Sequence, residues 1–187
     1  MNNEKIRKTY WLEHLIKKDL NWIDGDTEDE NLKTADLVNH SLKIAIELKI
    51  EESRDYWFPR FSSNRVIPYL KSANNKFKNY PNYKTILFIE SNCTVEEFQT
   101  AESIIYQVKN GPPFIQNKRR ANSSFNDVGS IIIWPYFKDV DHNYGYGWGH
   151  NEANINRKID YQAMSSLLGI DIRHYLDSPE FSGSKKN

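Results

Sequence analysis

The sequence predicts an α/β fold in which helices flank a mixed β-sheet within a single domain. Apolar patterns along the chain follow the order helix, three strands, helix, strand, helix, strand. Residues 84–89 (KTILFI) and 130–134 (SIIIW) are nearly continuous apolar runs, which is typical of strands covered on both faces. The 187 residues are enough to bury one core, although 27% of them are charged.

The first elements are a helix over residues 4–20 and a short strand over residues 21–24. The predicted buried stripe of the helix consists of Trp11, Leu12, Leu15 and Ile16. An acidic turn follows at residues 25–30. Asp24 and Asp26 lack the spacing and the terminal glutamate of an EF-hand loop, so we interpret them as part of a solvated turn.

The third strand is predicted over residues 42–49 (LKIAIELK), where apolar and polar residues alternate. Its apolar face consists of Leu42, Ile44, Ile46 and Leu48. Glu47 and Lys49 lie on the opposite face, because successive side chains of a strand point to opposite sides. The pattern therefore predicts one buried apolar face and one polar face whose side chains can take part in binding or catalysis.

A two-residue turn over residues 40–41 predicts the second strand of the hairpin and its register. In that register Asp36 lies opposite Ala45, and so on the face of Glu47 and Lys49. The apolar face would then also include Ala35 and Leu37. The hairpin thus predicts two carboxylates and one lysine on a single surface.

Two carboxylates on neighbouring strands are typical ligands of Mg²⁺, which retains several waters and binds phosphate oxygens of a substrate. Such an ion lowers the pKa of a bound water and stabilises the charge that develops on the leaving oxygen. A lysine beside the ion orients the nucleophile or neutralises the transition state. The residue types favour hydrolysis of a phosphodiester.

These residues make the chain similar to the PD-(D/E)XK nuclease superfamily, which has the restriction-endonuclease-like fold. In that family a helix precedes three strands, the second of which carries an aspartate and the third Glu-x-Lys. Asp36 matches the first position, and Glu47-Leu48-Lys49, the only acidic-x-Lys tripeptide of the chain, matches the second. Ala35 stands where the family name has proline. Over residues 5–135 the order of helices and strands matches that of the family. Individual motif residues match only in the hairpin.

The resemblance implies an endonuclease that hydrolyses DNA with Mg²⁺ or Mn²⁺, and it leaves RNA open as a substrate. Asp36 and Glu47 would ligate the ion, the backbone carbonyl of Leu48 would add a ligand, and Lys49 would assist the attacking water. Many nucleases of this fold act as pairs, so a homodimer is also implied as a possible state.

The family frequently has a glutamate in its first helix, which Glu13 matches best and Glu4 matches as the alternative. A different function also remains open, namely a non-catalytic module that retains the fold and binds nucleic acid or protein. That alternative is favoured if the Lys49 side chain points away from the carboxylates.

The formal net charge is zero, but the charges are segregated along the chain. Residues 56–89 and residues 103–126 contain basic and no acidic side chains. If both stretches flank the hairpin, they form a groove that follows phosphates. The candidate DNA contacts are Lys71, Lys76, Lys78, Lys118, Arg119 and Arg120. The alternative is that these stretches are ordinary solvated surface.

Three further helices are predicted, over residues 66–78, from a capping box at residues 94–97 to residue 108, and over residues 156–168. The last of them is expected to pack Ile159, Met164, Leu167 and Leu168. Residues 139–150 (DVDHNYGYGWGH) are interpreted as a loop whose aromatic rings stack on unpaired bases. A third candidate function, a small-molecule metallohydrolase, requires convergence of Asp141, His142 and His150.

Composition narrows the class of protein. The single cysteine, Cys93, excludes an internal disulfide and a cysteine-rich zinc site. No apolar run has the length of a membrane span and no signal-peptide core is visible, so we expect a cytoplasmic protein without a membrane partner. The expected domain has a core at about residues 5–135, a C-terminal extension at 136–177 and a disordered tail at 178–187.

Overall fold

The computed structural model of the chain describes residues 3–27, 33–51, 63–91, 125–135, 144–148 and 156–174. These ranges contain three α-helices and seven strands, and a 3₁₀ turn follows the first strand. In chain order they are α1 (Asn3–Ile16), β1 (Trp22–Asp24), the 3₁₀ turn (Gly25–Thr27), β2 (Leu37–Asn39), β3 (Ile44–Glu51), α2 (Ser63–Phe77), β4 (Lys84–Ser91), β5 (Ser130–Pro135), β6 (Tyr144–Trp148), α3 (Tyr161–Leu168) and β7 (Asp171–His174).

All seven strands belong to one mixed sheet, in the spatial order β1-β2-β3-β4-β5-β6-β7. The strands β1, β2 and β3 form an antiparallel meander, whereas β3, β4 and β5 are parallel. Parallel neighbours require a crossover connection, and α2 lies between β3 and β4 in the chain. The predicted α/β class is confirmed, and the first five strands are those that the sequence predicts.

One face of the sheet packs against α1 and α3, and we call it the α1 face. Its core joins apolar side chains of both helices to alternate residues of the central strands. Its buried members include Trp11, Leu15, Leu37, Ile46, Leu48, Phe88, Met164 and Leu168. The three predicted face residues of β3, Ile44, Ile46 and Leu48, are therefore buried together as expected.

The opposite face, the α2 face, packs against α2. Its buried apolar members include Val38, Ala45, Leu70, Ala73, Phe77, Leu87 and Ile89. Strand alternation places Glu47 and Lys49 of β3 on this face, next to Ala45. The face of β3 that carries Glu47 and Lys49, which the sequence predicts to be the catalytic face, is thus covered in part by α2.

The connection between β2 and β3 is longer than the predicted two-residue turn. Leu37 pairs with Ile46, and Asn39 pairs with Ile44, so residues 40–43 form the turn. The Asn39 side chain accepts a hydrogen bond from the Leu42 N–H at 2.9 Å, which closes the turn locally. Lys43 has a positive φ of 53°. The predicted pairing of Asp36 with Ala45 is wrong by two residues.

A shift by an even number of residues preserves the assignment of faces. Continued one step beyond Leu37, the observed register brings Asp36 opposite Glu47 instead of opposite Ala45. Two buried-face assignments are nevertheless wrong. Leu42 lies in the turn and is 49% exposed. Ala35 is buried in the α2 face and not in the α1 face.

Several element boundaries differ from the prediction. The helix α1 ends at Ile16, and α3 begins only after Asp160, whose side chain accepts a hydrogen bond from the Ala163 N–H. Met164 and Leu168 are buried in α3 as predicted. Residues 144–148, interpreted as part of a loop, form β6. Their aromatic residues recur at every second position, which is the period of a strand.

Other predictions fall outside the described residues. They include the helix from residue 94 to residue 108, the candidate metal ligands Asp141, His142 and His150, Cys93, and the basic residues Lys118, Arg119 and Arg120. In the part of the chain that the structure describes, no helix combines the length and the apolar character needed to cross a membrane.

Candidate active site

The two predicted carboxylates are held close together by the β2–β3 hairpin. Glu47 lies on β3, and Asp36 directly precedes β2. The backbone N–H of Leu48 donates a hydrogen bond to Asp36 Oδ2 at 2.8 Å. Because this bond crosses from one strand to the other, it fixes the Asp36 carboxylate beside the backbone that carries Glu47.

Two lysines meet these carboxylates from different elements. The Lys49 Nζ atom lies 2.8 Å from Glu47 Oε1. The Lys76 Nζ atom, from the last turn of α2, lies 2.7 Å from Glu47 Oε2 and 3.4 Å from Asp36 Oδ1. We refer to Asp36, Glu47, Lys49 and Lys76 as the charged cluster. Lys76 is the one member that contacts both carboxylates.

Glu47 is the most deeply buried member of the charged cluster. Its side chain is 0% exposed, and neither of its oxygens has a partner in hydrogen-bond geometry despite the short distances to the lysine nitrogens. Burial and the charge of Asp36 raise the pKa of Glu47 to about 7, against the opposing effect of Lys49 and Lys76. Near pH 7 the Glu47 side chain is therefore protonated, and uncharged, in a large fraction of the molecules.

The charge of Glu47 also affects Lys49. Burial acts to lower the pKa of the Lys49 ammonium, but the Glu47 and Asp36 carboxylates outweigh it, so the pKa is raised. Lys49 remains a cation at neutral pH. Its Nζ atom also lies 3.4 Å from Glu4 Oε1, so the ammonium stands between a buried and an exposed carboxylate.

A cavity of about 410 Å³ opens beside the charged cluster. Four carboxylates and four lysines line it, and α1, the 3₁₀ turn and the hairpin all contribute. Asp36, Lys49 and Lys76 are among the lining residues, whereas Glu47 is not. Glu47 thus lies behind its two lysines, and these lysines separate it from the cavity.

A second ion-pair group borders the same cavity. The Lys8 Nζ atom lies 2.5 Å from both Asp24 Oδ1 and Asp26 Oδ2. Partial burial acts to lower the pKa of Lys8 and to raise that of Asp26, but their contact prevails, so the pKa of Lys8 is raised and that of Asp26 is lowered. Asp26 is 65% exposed, as expected of a solvated turn, but both Asp24 and Asp26 also pair with Lys8, which the sequence does not predict.

The charged cluster has some features of a Mg²⁺ site. Two carboxylates completed by water are a common protein contribution to such a site, and the Glu47 oxygens lack aligned donors. The position between Asp36 and Glu47, however, holds the Lys76 ammonium. Among the described residues, no group of three or more Asp, Glu, His or Cys side chains is arranged to hold a metal ion. The predicted contribution of Leu48 to the metal site was its backbone carbonyl. The contact that Leu48 makes with Asp36 is through its backbone N–H.

The other candidate residues differ in whether they line the cavity. Glu13 is exposed on α1 and does not line the cavity, whereas Glu4, the alternative first-helix glutamate, does. Lys71 and Lys78 are exposed, as a phosphate contact requires. Lys76 was assigned with them but instead pairs with carboxylates.

Lys8 and Lys76 lie in the cavity wall, and neither position was predicted from the sequence. For Lys76 one signal exists, because it lies next to Phe77 and three residues after Ala73, at the edge of the buried stripe of α2. Nothing in the sequence specifies its partners.

Comparisons of this chain with protein-family models, with curated proteins and with solved structures find no match.

Proposed function

We propose that this protein is a metal-dependent nuclease of restriction-endonuclease-like architecture that hydrolyses phosphodiester bonds of DNA. The observation that carries the proposal is the charged cluster at the cavity. Asp36 and Glu47 lie side by side on the hairpin, and the Lys49 ammonium is 2.8 Å from Glu47. Two carboxylates can hold a divalent cation, and a lysine beside them can stabilise negative charge, so this combination suits metal-assisted phosphodiester hydrolysis.

Asp36 and Glu47 are the residues that would hold Mg²⁺ or Mn²⁺, which supplies a water of lowered pKa and neutralises the departing oxygen. Lys49 lines the cavity and is positioned to orient the attacking water or a phosphate oxygen. The eight charged groups of the cavity wall, four acidic and four basic, balance one another. A bound divalent cation would give the cavity the positive charge that a phosphodiester needs.

The strand arrangement supports the same proposal. A helix followed by an antiparallel meander and two parallel strands is the element order of the family that the hairpin motif resembles. Because a fold alone does not determine an activity, the element order supports the proposal only in combination with the charged cluster.

One observation favours the alternative of a non-catalytic binding module. Lys76 bridges Asp36 and Glu47, so the carboxylates already have a cation from within the chain. Against this alternative, Lys49 points toward Glu47 and not away from it. The two functions differ in whether the wild-type protein binds a divalent cation and cleaves a nucleic acid.

Cleavage of supercoiled DNA, linear DNA, single-stranded DNA and RNA tests the proposal. We expect activity with Mg²⁺ or Mn²⁺ and none in EDTA. Asp36→Ala, Glu47→Ala and Lys49→Ala should each lower the cleavage rate at least about 10²-fold without unfolding the protein. Lys17→Ala, which removes an exposed lysine of another surface, is the matched control. Wild-type rates for Lys49→Ala on every substrate would refute the assignment.

A further inference from the structure

We infer that Lys76 is an internal counter-cation of the Asp36–Glu47 pair, which a divalent cation displaces when it binds. This inference deepens the proposed function and rests on it for the identity of the metal ligands. The geometry is direct, because the Lys76 Nζ atom contacts Glu47 Oε2 at 2.7 Å and Asp36 Oδ1 at 3.4 Å. A Mg²⁺ ion at its usual distance of about 2.1 Å from both oxygens would overlap this ammonium.

Burial makes the displacement necessary. Glu47 is fully buried and does not line the cavity, whereas Lys49 and Lys76 do. A cation that approaches from the cavity therefore reaches Glu47 only after a lysine has moved. Lys49 is also held by Glu4 at 3.4 Å, on the outer side of the cluster. Lys76 contacts both metal-ligand candidates, so it is the lysine whose movement frees them together.

The backbone at the end of α2 is anchored, so movement is confined to the Lys76 side chain. Arg157 Nη1 donates a hydrogen bond to the Phe77 carbonyl at 3.1 Å. The Asn74 side chain accepts one from the Asp127 N–H at 2.9 Å, in the segment that leads into β5. These links hold the turn of α2 that carries Lys76. The flexible stem of the lysine supplies the required freedom.

The cavity provides a destination for the displaced ammonium. The Lys76 side chain is 21% exposed and already lines the cavity, so a change of its rotamer moves the ammonium from the carboxylates into open space. There it would face a phosphate oxygen of a bound substrate. Binding of the metal ion would thus free one positive charge for the substrate, and Lys76 would act on the reaction as a positioning residue.

Titration with Mn²⁺ alone, followed by calorimetry and by the electron paramagnetic resonance of free Mn²⁺, tests the inference. Lys76→Met removes the competing charge and should tighten Mn²⁺ binding at least about tenfold. Lys71→Met, an exposed lysine on the same helix, is the matched control and should bind as the wild type does. Adding Asp36→Asn to Lys76→Met should abolish the gain.

The outcomes separate this inference from the proposed function. Equal Mn²⁺ affinity of the wild type and Lys76→Met, with cleavage intact, overturns the displacement and leaves the nuclease standing. Binding by Lys76→Met but not by the wild type would overturn the displacement, because the ion could not remove Lys76 from the carboxylates, and would also contradict metal-dependent activity in the wild type. Absence of binding in both proteins overturns the inference.

A second measurement needs only the wild-type protein, which matters if Lys76→Met does not fold. Lysines are acetylated with a succinimidyl ester and counted by mass spectrometry, with and without saturating Mn²⁺. The rate at Lys76 should rise severalfold with the metal, because its ammonium leaves the carboxylates. The rate at exposed Lys71 should stay constant. An unchanged rate at Lys76 while Mn²⁺ is bound would overturn the inference.

Discussion

Two glutamates are buried on neighbouring parallel strands, Glu47 on β3 and Glu90 on β4, and their charges are met in different ways. Glu90 is 1% exposed and receives a bidentate contact from Arg7, whose Nε atom is 2.7 Å from Glu90 Oε2. The Arg7 guanidinium also lies 4.4 Å from the centre of the Tyr10 ring. Glu47 has two lysines at short distance but no aligned hydrogen bond.

The two glutamates are equally buried, so burial does not distinguish them, and their surroundings do. The planar guanidinium of Arg7, on α1, contacts both carboxylate oxygens of Glu90, on β4, and so forms a bidentate ion pair. The lysines at Glu47 are flexible point charges, a second carboxylate lies beside them, and a cavity opens on their outer side. The proposed metal binding by Glu47 depends on this difference, because a flexible lysine can leave a carboxylate more easily than a bidentate guanidinium can.

The activity of matched variants gives the largest expected contrast. Glu47→Gln should lower single-turnover DNA cleavage at saturating Mg²⁺ at least about 10²-fold, because it removes a proposed metal ligand. Glu90→Gln should stay close to the wild-type rate below its unfolding temperature, because Glu90 pairs with Arg7 on the α1 face. Equal losses in the two variants would erase the distinction between the two glutamates.

Stability should rank the same two variants in the opposite order. Glu90→Gln removes the buried negative charge that the Arg7 guanidinium contacts and should lower the free energy of unfolding by about 3 kcal/mol. Glu47→Gln removes a buried charge next to Asp36 and should be neutral or stabilising at pH 8. Urea unfolding measures both. A larger loss for Glu47→Gln than for Glu90→Gln would mean that the lysine pair is the more structural of the two.

The pH dependence of stability isolates the charge on Glu47. The folded protein raises the pKa of Glu47 from 4.5 to about 7, so between these values the native state keeps a proton that the unfolded chain releases. The resulting stabilisation is complete below pH 4.5 and is lost as pH rises to about 7. The loss is at most roughly 3 kcal/mol.

Urea unfolding of the wild type and Glu47→Gln across this pH range measures that effect. The stability of the wild type minus that of the variant should decrease as pH rises, because glutamine does not titrate. A difference that is flat or that increases with pH would show that the lysines hold Glu47 ionised throughout.

The smallest expected effect concerns two exposed lysines, Lys71 on α2 and Lys78 in the turn that follows it. Lys71→Glu and Lys78→Glu together should weaken DNA binding and reduce the steepness of its salt dependence by roughly 0.9 in log–log slope for each lost phosphate contact. Cleavage at saturating DNA should be unchanged, in contrast to variants of Lys76. Fluorescence anisotropy at several salt concentrations makes the test. An unchanged slope would identify these lysines as ordinary solvated surface.

The hairpin shows what strand periodicity can predict. The alternation in residues 42–49 places Glu47 opposite in face to Leu48, and no tertiary contact is needed for that assignment. The register was wrong by two residues, because the Asn39 side chain closes a longer turn with Leu42. The carboxylates still share one face, since an even shift does not exchange the faces.

The partners of the charged cluster were beyond the reach of the sequence. Lys76 is 29 residues from Glu47 and meets it only through the packing of α2 on the sheet. A basic residue in an acid-free stretch is ordinarily expected at the surface, as Lys71 and Lys78 are. The contact of Lys8 with Asp24 and Asp26 has the same origin, since the docking of α1 on β1 determines it. Such long-range contacts carry no local signal.

Location of Mn²⁺ by its anomalous scattering, in crystals of the wild-type protein soaked with the ion, tests the central claim most directly. The proposed function predicts one ion bound to Asp36 and Glu47, at about 2.1–2.2 Å from their oxygens, with the Lys76 ammonium withdrawn into the cavity. A saturating soak that leaves Lys76 between the carboxylates, with no ion there, would contradict it.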